Sequence, residues 1–282
     1  MDKTEFEKHW SESLRSSEPS VEQFDRLAQA VVDLYRSGDA TFRQHIKNRF
    51  RRVTKTTGQN FDPDNFDLDM ARAFIADEIG FRSWDELIRS IQNPAENRYS
   101  ILFRYAIAVL WRGDYTGLKR AVGGPEIFDG QIIEWLEAGY FADEPETMAE
   151  AFAAACMLGR DRAAAALLDN GVDPYAGMRS GLSGFHYAVS GGWRNVVELL
   201  IARDVPMEIK NTYGGTVLGQ ALWSAINEHM ESHAAIIESL IEAGAKIEPG
   251  TLDWWEVQSV PSTETKSRVT NALLKAKDKS AP

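Results

Sequence analysis

The stretch Ala155-Cys156-Met157-Leu158-Gly159-Arg160, running on to Ala166-Leu167-Leu168-Asp169-Asn170-Gly171-Val172, returns thirty-three residues later. The second copy is Ala188-Val189-Ser190-Gly191-Gly192-Trp193, then Leu199-Leu200-Ile201-Ala202-Arg203-Asp204-Val205. Gly159 falls on Gly192, Leu167-Leu168 on Leu200-Ile201 and Ala155 on Ala188. A period of this size marks a stacked repeat, in which each unit buries its apolar face only against its neighbours. Such a chain is expected to present a built surface rather than a closed catalytic pocket.

Working outward from this pair, the spacing places repeats at 145–177, 178–210 and a longer one at 211–250. A degenerate capping repeat is expected at 99–144, and a C-terminal cap at 251–280 that includes an amphipathic helix over about 264–277. Residues 3–15 and 20–36 carry apolar side chains at helical spacing, with Gly38 as a stop. A further helix is expected over about 67–79, ending at Gly80. Ser83 with Glu86 three residues on has the form of a capping box for a short helix carrying Trp84, Leu87, Ile88 and Ile91. The polar, proline-broken run Asn93-Pro94-Ala95-Glu96-Asn97 is the expected boundary. It separates a helical module at 1–93 from an array at 98–282.

The repeats resemble ankyrin repeats. Gly181-Leu182-Ser183-Gly184-Phe185-His186-Tyr187-Ala188 matches that family's opening segment, and Asn211-Thr212-Tyr213-Gly214-Gly215-Thr216-Val217-Leu218 matches it again, with Gly219 where the family has His. Leu167-Leu168-Asp169-Asn170-Gly171-Val172-Asp173-Pro174 and Leu240-Ile241-Glu242-Ala243-Gly244-Ala245 match its closings. The first repeat carries Glu150-Ala151-Phe152-Ala153 in place of the opening, so no regular finger is expected at 143–149. Independently of the name, Gly171 and Gly244 stand where a helix ends in a left-handed residue. The fold class is therefore all-α, an ankyrin-like helix-turn-helix solenoid preceded by a small helical module. Residues 71–87, with the core Gly80-Phe81-Arg82-Ser83-Trp84, resemble the module that often precedes ankyrin repeats in bacterial proteins, which implies a bacterial source and no particular activity.

Composition narrows the partners. The formal net charge is −11, and residues 134–256 hold seven basic against nineteen acidic residues. An acidic block disfavours nucleic acid and anionic membranes and favours a basic protein surface. No apolar run reaches the ~18–20 residues of a membrane span, and the start of the chain lacks a signal peptide's apolar core. One cysteine, Cys156, rules out an internal disulfide and a multi-cysteine zinc site. A cytoplasmic location is expected. No cofactor is implied.

The resemblance implies recognition through finger tips and the concave face of the inner helices. Carried onto this chain, the partner-binding residues are Arg179, Ser180, Leu182, Ser190, Thr212, Tyr213, Gly215, Trp223 and Ser224. Aromatic and arginine side chains there are typical binding anchors. Tyr175, Trp193, Trp254 and Trp255 also lie at turns or repeat edges, although Trp193 is also suited to packing between repeats. His186 is expected to tie neighbouring turns together by hydrogen bonds, as the resemblance implies, and not to be catalytic. Cys156 is expected to be a buried, inert thiol. His229 and His233, four apart in an insertion of the 211–250 repeat, could share a helix face as metal ligands with Glu228 or Glu231. A solvated insertion is the expected reading, with a metal-binding or enzymatic protein using 227–233 as an alternative. An immunity or antitoxin-like inhibitor of a basic toxin is another. The basic cluster Arg43, Lys47, Arg49, Arg51, Arg52 and Lys55 is expected to be a solvated face.

Overall fold

The computed structural model describes residues 2–57, 62–228 and 230–280, leaving aside the side chains of 51–57 and 278–280. Every regular element among the described residues is helical. The chain forms two compact units, Met1–Ile127 and Phe128–Pro282.

The first unit contains α1 (Lys3–Arg15), α2 (Val21–Ser37), α3 (Ala40–Thr57), α4 (Leu68–Ile79), α5 (Trp84–Gln92), a 3₁₀ turn (Pro94–Glu96), α6 (Ile101–Leu110) and α7 (Tyr115–Val122). Local chemistry sets the ends. Ser20 and Gln23 form a reciprocal capping box on α2, and Gly38 closes that helix at φ +94°. Asp67 caps α4, and Gly80 ends it at φ +92°. The expected box at α5 is only half formed. Ser83 Oγ accepts from Glu86 N–H, but the Glu86 carboxylate accepts from Arg82 N–H instead of reaching back to Ser83. α4 packs on α2 and α6, and α1 on α2, α6 and α7, around Phe24, Leu27, Val31, Ile75, Phe103 and Leu118.

The division of the chain differs from the expected boundary at 93–97. Helices α6 and α7 pack on α4 and α1, so they join the first unit. The proline-broken loop is an internal connection, pinned where Asn97 Nδ2 donates to Ser90 O at 2.7 Å.

Helix α8 (Pro125–Glu137) spans the division, and a 3₁₀ turn (Tyr140–Asp143) follows. Then come the pairs α9 (Pro145–Met157) and α10 (Asp161–Asp169), α11 (Gly184–Ser190) and α12 (Arg194–Ala202), α13 (Val217–Asn227) and α14 (His233–Glu242), closed by α15 (Thr251–Val257) and α16 (Thr263–Ser280). The first helices of the pairs, α9, α11 and α13, stack on one another. The second helices, α10, α12 and α14, do the same, and α16 covers α14. Buried Ala155, Ala188 and Ala221 let the first helices approach closely. The thirty-three-residue period reappears in the backbone: Gly159 and Gly192, between the two helices of their pairs, hold φ +68° and +67°. Where the later pairs have a polar finger, α9 begins at Pro145 and runs thirteen residues against seven in α11. The missing opening in the first repeat thus becomes extra helix.

Candidate interaction surface

Two polar loops lead into the first helices, 171–183 before α11 and 204–216 before α13. The first is held against the preceding repeat. Gly177, at φ +72°, lies where an added Cβ would stand 2.3 Å from the Ala149 carbonyl oxygen, so no larger residue fits. Arg179 N–H donates to Glu150 Oε1 at 3.2 Å, and its guanidinium donates to Glu146 at 2.7 Å. The loops are joined to each other, because Thr212 N–H donates to Gly181 O at 3.0 Å.

His186 is fully buried at the heart of this arrangement. Its Nε2 lies 3.0 Å from Gly215 O and its Nδ1 2.7 Å from Ser183 Oγ. A carbonyl can only accept, so Nε2 carries the proton and Nδ1 accepts from the Ser183 hydroxyl. Burial lowers the His186 pKa, partly opposed by the Gly215 hydrogen bond, and keeps the ring neutral. The histidine ties one repeat to the next finger, as the resemblance implied. Cys156 is also fully buried, and burial alone pushes its thiol pKa far up, which leaves it an inert core group.

The expected binding residues separate into two groups. Tyr213 is 87% exposed at a finger tip and Trp223 is 49% exposed on α13. Ser180 and Tyr213 are thirty-three residues apart, as are Ser190 and Trp223, so each pair occupies one repeat position. Leu182 is half-buried beside Ser180. Thr212 and Gly215 are largely spent on the fold. Thr212 Oγ1 also donates to Gly181 O, and Gly215 donates to Asn211 Oδ1 while accepting from His186. Arg179 is engaged by Glu146 and Glu150.

Ser224 requires correction: it is fully buried and cannot meet a partner. Its Oγ accepts from Gln220 Nε2 and donates to Ser190 Oγ, which in turn donates to the Glu228 carboxylate at 2.9 Å. The physical reason is helical phase, since Ser224 follows buried Ala221 by three residues and buried Val217 by seven.

Of the other aromatics, Trp193 packs between repeats. Its ring covers Gly159, and its indole N–H donates to Met157 O at 2.8 Å. Trp255 is buried with its N–H on Thr270 Oγ1, whereas Tyr175 and Trp254 remain exposed. Val257 is 77% exposed on α15, where no repeat register flagged it.

The histidine pair does not have the expected setting. His229 lies outside the described residues. His233 is fully buried as the first residue of α14, and its Nε2 lies 3.1 Å and 3.2 Å from the carbonyls of Val189 and Ser190. A proton held between two carbonyls leaves that nitrogen with no lone pair for a metal. Among the described residues, no cluster of three or more His, Cys, Asp or Glu is arranged to hold a metal ion. No described helix is long and apolar enough to cross a membrane.

The basic cluster is likewise corrected at Arg49, which is buried and pairs with Asp77 at 2.9 Å and with Glu78. Arg43 donates to Tyr35 O and lies over the Tyr35 ring. The side chains of Arg51, Arg52 and Lys55 lie outside the described residues.

Residues 152–201 match the family model for ankyrin repeats (many copies). The match takes in the last six residues of α9, all of α10 and α11 with the finger between them, and nearly all of α12. It supports reading the chain as an ankyrin-repeat protein. No curated protein matches the sequence. Ankyrin repeats are generally protein–protein interaction modules and generally not enzymes.

Proposed function

We propose that this protein is a non-catalytic recognition module that binds a basic protein through the finger tips and concave face of its repeats. The observation that carries the reading is the exposure of Tyr213 and Trp223, large apolar groups on a finger and a first helix, while Trp193 and Trp255 are built into the packing. Exposed aromatics on a rigid scaffold lose little entropy on binding and serve as anchors. Leu182 extends the apolar surface one repeat upstream. The acidic surplus across 134–256 supplies steering toward a cationic partner. The resemblance of residues 71–87 supports a bacterial source.

Kinetics against the cognate partner separate the two contributions. Added salt slows association, because the field is screened over a Debye length of ~8–10 Å. Truncating Tyr213, Trp223 or Leu182 to alanine raises the dissociation rate, with a loss of ~1–3 kcal/mol at an anchor. Unchanged dissociation rates in all three variants would remove the assignment.

A further inference from the structure

The first unit holds a feature that the repeats do not explain. A cleft of about 480 Å³ runs from the end of α4 along α5, lined by Arg82, Ser83, Arg89, Ser90, Asn93 and Arg104. Other arginines of this unit are spent on carboxylates: Arg112 on Glu78 and Arg72 on Asp25. No carboxylate pairs with Arg82, Arg89 or Arg104 among the described residues. Arg104 lies over the Phe81 ring, its guanidinium carbon 4.7 Å from the ring centroid, and its Nε is buried with no hydrogen-bond partner. A cation–π contact with the ring uses none of the guanidinium's N–H donors, which remain for an anion. Arg89 Nε donates to Asp85 O, which leaves its terminal nitrogens for a ligand.

A second, independent observation concerns Ser90. It is more than nine-tenths buried, it lines the cleft, and its Oγ has no hydrogen-bond partner. A buried hydroxyl without a partner is costly, and a ligand oxygen in the cleft would satisfy it. Two carboxylates also border the site. Glu86 Oε2 is held by Arg82 N–H at 2.8 Å, and Glu96 is exposed. Three guanidinium groups still exceed two carboxylates, giving a positive balance on a chain of net charge −11.

We propose that this cleft binds a small phosphorylated, hydroxyl-rich molecule of the sugar-phosphate class. Guanidinium forks match the oxygens of a phosphate group, and its charge strengthens each hydrogen bond. Ser90 Oγ and the Asn93 amide are the kind of groups that pair with sugar hydroxyls. The one aromatic face in the cleft, Phe81, is already covered by Arg104, so no platform remains for a nucleobase. The volume lies within the range of small-molecule sites.

Calorimetric titration of the full chain with ribose 5-phosphate, ribose, inorganic phosphate and AMP tests the assignment. Ribose 5-phosphate binds at least tenfold tighter than inorganic phosphate, ribose does not bind, and AMP gains nothing over ribose 5-phosphate. Arg89→Gln and Arg104→Gln each weaken ribose 5-phosphate at least tenfold. If Arg104→Gln fails to fold, the exposed Arg89→Gln decides. Absence of ribose 5-phosphate binding, equal affinity for inorganic phosphate, tighter binding of AMP, or unchanged affinity in Arg89→Gln would each overturn the proposal.

Discussion

Asp204 holds φ +52°, the one non-glycine residue with positive φ among the described residues. The same helix-ending position is Gly171 (φ +80°) one repeat earlier and Gly244 (φ +94°) one repeat later. A left-handed conformation costs an L-residue roughly 1–2 kcal/mol, less for Asp, and costs glycine nothing. Asp204→Gly should therefore stabilise the protein by about 0.5 kcal/mol, after the loss of chain entropy that glycine brings. A raised urea midpoint for Asp204→Gly is the expected outcome, and a lowered one would show that the aspartate side chain has a role of its own. His186 gives a second check at this scale. Its folded pKa lies below its ordinary value, so the unfolded chain binds the proton more readily. Stability from this group is fully present above pH ~6.5 and is lost as pH falls through the lower folded value. A urea midpoint that falls on acidification from pH 7 to pH 5, and falls less in His186→Gln, is the expected result.

At the level of single helices, phase decides what the sequence makes legible. The thirty-three-residue period identified the paired helices and their glycine ends, because stacking repeats the same sterics in each unit. It could not assign faces within α13, where Trp223 and Ser224 are neighbours in sequence but one is half exposed and the other fully buried. The stripe Val217, Ala221, Ser224 carries that information, and it is obscured because a serine reads as surface. Arg49 was missed in the same way: it follows buried Phe42 and Ile46 at helical spacing, yet its charge suggested solvent. Its environment makes the burial tolerable, since Asp77 and Glu78 on α4 meet the guanidinium. Burial alone would raise the Glu78 pKa, but its hydrogen bond with His45 and the charges of Arg49 and Arg112 outweigh this and hold it below the usual carboxylate range. His233 begins the buried stripe His233, Ile236, Ile237, Leu240 of α14 and so belongs to the helix, not to the insertion. His233→Ala would leave two carbonyls at the end of α11 without this donor, at a cost of about 1–3 kcal/mol. A denaturation midpoint equal to that of the wild type would return His233 to the solvated insertion.

For the molecule as a whole, the two units show different degrees of legibility. The repeats were visible because neighbouring units must agree in sequence to stack. The extent of the first unit was not, since α6 and α7 join it through packing on α4 and α1 that no local signal records. The cleft around Arg104 was invisible for the same reason: it depends on a side chain from α6 meeting Phe81 and α5. The proposed function rests on a property of the repeat array: an acidic scaffold, its helices locked by His186 and His233, displays Tyr213 and Trp223 to solvent. The most direct test compares the wild type with a Tyr213→Ala, Trp223→Ala double variant as immobilised baits in extract of the source organism. Retained proteins are quantified at low and high salt. The expected result is a basic protein held by the wild type, released by salt and lost from the double variant although that variant keeps the wild-type melting point. Equal retention by both baits would contradict the account.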